Sequence, residues 1–192
     1  MNRDETVTIV SGLPRSGTSM MMMMLDAGGI PPLSDGIRTA DDDNPKGYYE
    51  FERVKKIKED TAWLPDAKGK AVKMISQLLL HLPAGYTYKV LFMRRKIEEI
   101  LASQRQMLIR RGTHKEDGVS DEDMGKMLLM HVDQVLKTMA GRDDVDLLEV
   151  DYNAVLADAS DIIPRINTFL GGNLNTEAMT GVVDRSLYRQ RK

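Results

Sequence analysis

The 192-residue sequence contains no cysteine. That absence excludes disulfides, a thiolate nucleophile and any cysteine-ligated zinc, and it is compatible with a reducing compartment. Histidine is scarce: His81, His114 and His131 are scattered without the spacing of a metal-ligand set. Neither sign of charge dominates. With 27 Lys and Arg against 29 Asp and Glu the formal net charge is -2, so nothing points to a nucleic-acid or membrane-surface partner, and any anion site must be local. No apolar run approaches the roughly 20 residues of a membrane span, and the polar start Met1-Asn2-Arg3-Asp4-Glu5 lacks signal-peptide character. These absences lead to the expectation of a soluble cytoplasmic protein without metal, nucleic acid or membrane span. Oligomeric state leaves no readable signature. The length suits a single domain, residues 1–192, that buries roughly 70% of the surface its unfolded chain exposes.

What is present alternates between strand-like and helix-like segments. Thr6-Val7-Thr8-Ile9-Val10 is a β-branched run; a Gly/Pro/Ser cluster follows, then an apolar stretch from Thr18 to Ala27 closed by Gly28-Gly29. That order predicts strand, loop, helix. Ile30 to Tyr49, with three prolines and the turn-like Asp41-Asp42-Asp43, predicts a long irregular segment of the kind that often carries function. Glu50 to Asp60 is expected to be helical, and Lys70 to Ile75, Tyr88 to Met93 and Val145 to Val150 to be strands. Further helices are expected over Lys96–Arg111, Asp121–Ala140 and Ala159–Leu170, the last ended by Gly171-Gly172. The pair over 96–140 reads as a helical hairpin that forms a lid. The fold class implied is α/β, a three-layer fold with a mainly parallel sheet flanked by helices. Met20 to Met24 reads as gap-filling core with some members facing outward. Trp63 and His131 read as structural.

The chemistry concentrates in the loop Gly12-Leu13-Pro14-Arg15-Ser16-Gly17-Thr18-Ser19. A glycine-rich turn between a strand and a helix presents successive backbone N–H groups to an anion, and the positive end of the helix dipole adds to the attraction. Gly12-x-x-x-x-Gly17 has the spacing of a Walker loop, but Thr18 stands where the Walker lysine belongs. Arg15, inside the loop, is the substitute cation, and Ser16, Thr18 and Ser19 offer hydroxyls to the same oxygens. Leu147-Leu148-Glu149-Val150-Asp151 has the form of a Walker B strand ending in a magnesium-binding Asp. It supports the alternative of a P-loop kinase or nucleotide hydrolase using Mg-ATP.

The loop closely resembles the 5′-phosphosulfate loop of sulfotransferases that use 3′-phosphoadenosine 5′-phosphosulfate (PAPS). A second segment agrees: Arg95 ends a strand-like run and Ser103 follows eight residues later, the spacing with which that family holds the donor's 3′-phosphate. Asn44-Pro45-Lys46-Gly47-Tyr48-Tyr49-Glu50 and the tail Val183 to Arg191 resemble segments of bacterial sulfotransferase-like sequences. The resemblance implies a P-loop (NTPase-like) fold, PAPS as co-substrate without a metal, and transfer of a sulfuryl group to an unidentified acceptor, a hydroxyl by expectation. It assigns donor binding to Gly12, Pro14, Arg15, Ser16, Gly17, Thr18, Ser19, Arg95, Ser103, Arg189 and Arg191, and catalytic roles to Arg15 and Lys73. Cytosolic sulfotransferases place a general-base His where this chain has Ile75, so the resemblance points instead to a carboxylate base, Asp35 or Glu50, with Asp35 slightly preferred. A catalytically weakened PAPS-binding protein is the other alternative that Ile75 leaves open.

Overall fold

The β-branched run after the polar N-terminus forms β1 (Thr6–Gly12), and every one of its residues is buried. Such two-sided burial marks a central strand of a parallel sheet. The computed structural model describes residues 5–37, 47–113 and 119–184. Arg189, Arg191, Asp41-Asp42-Asp43 and the Asn44-Pro45-Lys46 part of the Asn44–Glu50 segment lie outside the described residues. β1 pairs in parallel with β2 (Ala71–Lys73) on one side and β3 (Thr87–Arg94) on the other, and β4 (Val145–Asp151) continues from β3, giving the order β2-β1-β3-β4. β2 is shorter than the expected Lys70–Ile75 run. Its outer edge meets Pro31 to Leu33 through a parallel bridge at Pro32, in which the Leu33 N–H donates to the Ala71 carbonyl at 2.8 Å and the Ala71 N–H to the Pro31 carbonyl at 2.9 Å.

Alternation along the strands sorts the core into two layers. Val7 and Ile9 of β1, Tyr88, Val90 and Phe92 of β3, and Val145 of β4 point to one face. There they meet Trp63 and Leu64 of α2 (Leu64–Ala67), Leu79 of α3 (Ser76–Leu79), Ile100 of α4 (Ile97–Arg110) and Val132, Val135 and Met139 of α5 (Asp121–Ala140). Val10, Leu91, Met93 and Val150 point to the other face, against Met21, Met22, Met24 and Leu25 of α1 (Thr18–Ala27), α6 (Tyr152–Ala157), α7 (Ile162–Phe169) and α8 (Thr176–Val182). The fold is thus helix, sheet, helix, as the alternating sequence implied. α4 packs against α5, and α5 packs against α3 and β4, so the hairpin forms much of one helical layer.

Boundaries differ from expectation where local chemistry intervenes. Glu50 to Asp60 yields only a 3-10 turn, Glu52–Lys56, anchored by the buried Val54 with Ile57 buried just after it. The helix expected from Ala159 begins at Ile162 instead. Pro164 explains the delay: it lies in the first turn of α7, where its missing N–H costs nothing, but from Ala159 it would fall in the helix interior. α6 and α8 are short helices that no sustained period announced.

Trp63 is fully buried; its indole N–H donates to the Asp60 carbonyl at 3.0 Å and its ring stands edge-on to Phe51 at 5.7 Å. Trp63→Ala is expected to lower unfolding free energy by about 3–5 kcal/mol in denaturant titration, and a loss below about 1 kcal/mol would contradict the packing. Burial pushes the Tyr88 phenol, whose hydroxyl donates to the Pro83 carbonyl at 2.9 Å, well above its ordinary value. A group whose pKa is raised by folding stabilises the protein below its unfolded value and loses that contribution as pH rises. The urea midpoint should therefore fall as pH climbs beyond about 10, and the fall should flatten in Tyr88→Phe.

Candidate active site

The turn between β1 and α1 exists because two of its residues lack a Cβ. Gly12 has φ 149°, and a Cβ there would lie 2.5 Å from Ser16 Oγ and 2.7 Å from the Met93 carbonyl oxygen. Gly17, at φ 100°, caps α1, and its Cβ would lie 2.3 Å from the ring of Tyr152. The close approach of β3 at one end and of α6 at the other leaves no room for a side chain. Arg15 adopts φ 74°, the left-handed region that costs an L-residue about 1–2 kcal/mol. The result is a concave loop leading into the N-terminus of α1, whose first amide groups have no partner within the helix. Ser16 Oγ is buried in this turn with no hydrogen-bond partner. Such a turn, with helix-start amides that have no partner within the helix and no room for Cβ atoms, fits a phosphate or phosphosulfate group.

Two arginines converge on the loop. Arg15 Nε donates to Ser103 Oγ at 2.9 Å, tying the loop to α4. Arg95 Nη1 donates to the Arg15 carbonyl at 3.0 Å, while its Nε donates to Glu99 Oε2 at 2.9 Å. Its guanidinium carbon stands 4.7 Å from the Tyr152 ring centroid. The other oxygen of Glu99 accepts from Asn153 Nδ2 at 2.9 Å, and Glu99 is fully buried. Burial also raises the pKa of the Tyr152 phenol. Arg95 and Ser103, predicted as a pair from their spacing, thus both contact Arg15.

Lys73, at the end of β2, donates from Nζ to Ser19 Oγ at 3.0 Å and to the Tyr48 carbonyl at 2.7 Å, and its ammonium lies 5.7 Å from the Tyr48 ring centroid. A cavity of about 460 Å³ opens between these groups. Gly12, Pro14, Arg15, Gly17, Thr18, Ser19, Lys73, Arg95 and Ser103 line it, together with Tyr48, Glu50 and Tyr152. Ser16 is buried beneath the loop instead of facing the cavity. The cavity lies beyond the carboxyl ends of β1, β2 and β3, where strand order reverses direction about β1, the usual ligand crevice of an open α/β sheet.

The two candidate carboxylates are separated. Glu50 lines the cavity, with its side chain largely covered and 3.9 Å from Lys55 Nζ. Asp35 is exposed and turned to its own loop: its carboxylate accepts from the Glu52 N–H at 2.6 Å and from the Ile37 N–H at 3.1 Å, which fixes the entry to the 3-10 turn. Asp151 also stands outside this cavity, capping α6 by accepting from the Ala154 N–H at 3.0 Å. Ile75 lines the cavity and is 45% exposed. His131 hydrogen-bonds Ser76 Oγ at 2.9 Å. Tyr48 was read only as part of the Asn44–Glu50 segment, and Glu99, Tyr152 and Asn153 escaped the sequence reading; of these three only Glu99 left a signal, its i,i+4 spacing from Arg95.

No protein-family model matches the sequence, and no curated protein matches it. In structure the chain is similar to the sulfotransferase domain of the Synechococcus PCC 7002 olefin synthase, with a TM-score of 0.60 and 13% identity over 100% of this chain and 90% of that one. It is likewise similar to the sulfotransferase domain from the curacin biosynthetic pathway, with a TM-score of 0.54 and 12% identity over 100% of this chain and 93% of that one. Retinol dehydratase, solved with androsterone and the inactive cofactor PAP, matches at a TM-score of 0.50 and 16% identity, over 98% of this chain but 65% of its own length. The protein therefore has the sulfotransferase fold, a P-loop architecture with a four-stranded parallel sheet between two helical layers.

Proposed function

We propose that the protein is a sulfotransferase that binds PAPS at the Gly12–Ser19 loop and transfers its sulfuryl group to a hydroxyl acceptor. The observation that carries this reading is the convergence of Arg15, Arg95 and Ser103 on one another at the mouth of a glycine turn. The loop amides and Arg15 receive the 5′-phosphosulfate, and Arg95 with Ser103 receives the 3′-phosphate, a role Arg189 and Arg191 would extend. Several charge-assisted hydrogen bonds of about 1.5–3 kcal/mol each suffice for micromolar binding. A Mg-ATP enzyme is less well supported, since Asp151 caps α6 and lines no part of the cavity.

Sulfuryl transfer asks the protein to align the acceptor oxygen with the leaving group and to neutralise charge that develops on the oxygens. Arg15 and Lys73 neutralise the negative charge left on the phosphate oxygen as its bond to sulfur breaks. Glu50, the carboxylate on the cavity wall, takes the acceptor's hydroxyl proton as that oxygen bonds to sulfur. The products are a sulfate ester and the bisphosphate 3′-phosphoadenosine 5′-phosphate (PAP). Asp35 instead holds the loop that carries Glu50, through the bond from the Asp35 N–H to the Glu50 carbonyl at 3.3 Å.

PAP at a hundred times its dissociation constant is expected to stabilise the protein by about 2.7 kcal/mol, independently of magnesium, and Arg15→Ala and Arg95→Ala are each expected to abolish that gain. Stabilisation by Mg-ATP but not by PAP would overturn the donor assignment. Once an acceptor is in hand, Glu50→Gln should lower kcat by about a hundred- to ten-thousand-fold with PAP affinity unchanged, and Asp35→Asn should leave kcat within about tenfold. The reverse ranking would give the proton to Asp35.

A further inference from the structure

The geometry points to Tyr49 as a positioning residue for Lys73: its left-handed backbone turns the Tyr48 carbonyl onto the Lys73 ammonium and so aims that charge at the glycine turn. The inference rests on the donor reading above, in which Lys73 neutralises the leaving phosphate oxygen, and deepens it.

A lysine ammonium is a point charge on a flexible stem, so the acceptors around it decide where it stands. Lys73 Nζ donates to Ser19 Oγ of α1 at 3.0 Å and to the Tyr48 carbonyl at 2.7 Å. The direction of that carbonyl depends on the next residue, because rotation about the Tyr49 N–Cα bond swings the whole planar peptide unit that carries it. Tyr49 has φ 52° and is one of two non-glycine residues at positive φ among the described residues, the other being Arg15 in the glycine turn. Such backbone persists only where the surroundings fix it.

Both flanks of Tyr49 are fixed. Before it, the Tyr48 side chain is buried, with its ring centroid 5.7 Å from the Lys73 ammonium. After it, the Glu50 carbonyl accepts from Ser34 Oγ at 3.2 Å and from the Asp35 N–H at 3.3 Å. With these ends held, a negative φ at Tyr49 would swing the Tyr48 carbonyl away from Lys73. The Tyr49 ring packs against the α1 side of the core, where burial and then the charge and hydrogen bond of Asp26 push the phenol's pKa up. Ser19 and Asp26 lie seven residues apart on one face of α1, so Lys73 and Tyr49 grip the same helix two turns apart. Tyr48 and Glu50 line the cavity and Tyr49 does not, so Tyr49 acts through its backbone and not by touching a ligand.

The test is calorimetric titration of PAP into wild-type protein, Tyr49→Ala, Tyr49→Gly, Lys73→Met and Tyr49→Ala/Lys73→Met. The alanine and glycine variants both lack the ring and differ by one Cβ, which disfavours positive φ. Lys73→Met is expected to weaken PAP binding about tenfold, as loss of a charge-assisted hydrogen bond does. Tyr49→Ala should weaken it about fivefold or more, and Tyr49→Gly should restore it to within about twofold of wild type. In the Lys73→Met background Tyr49→Ala should change the affinity less than about twofold. Equal affinities of the alanine and glycine variants overturn the inference. So does an alanine effect that survives in the Lys73→Met background, which would place the role of Tyr49 elsewhere. Unchanged affinity in Lys73→Met overturns it while leaving PAP binding in place. Failure of PAP to bind wild-type protein overturns the donor reading first, and this inference with it.

Discussion

The site is organised around one buried carboxylate. Glu99 lies entirely out of solvent, and a charge in that position is stable only if it is fully paired. Arg95 occupies one of its oxygens and Asn153 the other. Through Arg95 the constraint reaches the backbone of Arg15 and the face of Tyr152. Through Asn153, whose Oδ1 accepts from the Lys96 N–H at 3.3 Å, it reaches the start of α4. The end of β3, the turn after β1 and the first turn of α6 are thereby held in one geometry. A guanidinium locked on several sides pays its ordering cost before any ligand arrives.

That arrangement explains why the turn tolerates unfavourable backbone. Arg15 sits at positive φ and the two glycines pack where a Cβ would collide with Ser16, Met93 or Tyr152. Strained conformations persist only where the surroundings over-determine them, and here Arg95 and Ser103 grip Arg15 through its carbonyl and its side chain. Lys73 completes the cationic side by joining the loop serine Ser19 to the Tyr48 carbonyl. Tyr49 follows with φ 52°, and the segment then delivers Glu50 to the cavity wall.

Much of the fold was legible because it depends on periodicity. α1 and α5 have the boundaries their apolar spacing set, and β1, β3 and β4 fall within two residues of the expected runs. The expected helix at Glu50 is only a short 3-10 turn, and the one at Ala159 started late because of Pro164. The methionine run divided as a helix on a sheet requires: Met21, Met22 and Met24 in the core, Met20 and Met23 on the cavity wall.

The sequence by itself determined the glycine turn, the Arg95 and Ser103 pair and the parallel α/β architecture, because each is written in local spacing: glycines about a turn, two helical turns between partners, apolar residues in alternation. Only the tertiary structure put Glu50 on the cavity wall and turned Asp35 to its own loop, set Asp151 as a helix cap outside the cavity, and brought Tyr152 and Asn153 beneath the loop. Those outcomes depend on where separate loops and helices meet in space, and an isolated carboxylate or ring carries no local pattern that says which neighbours it will have.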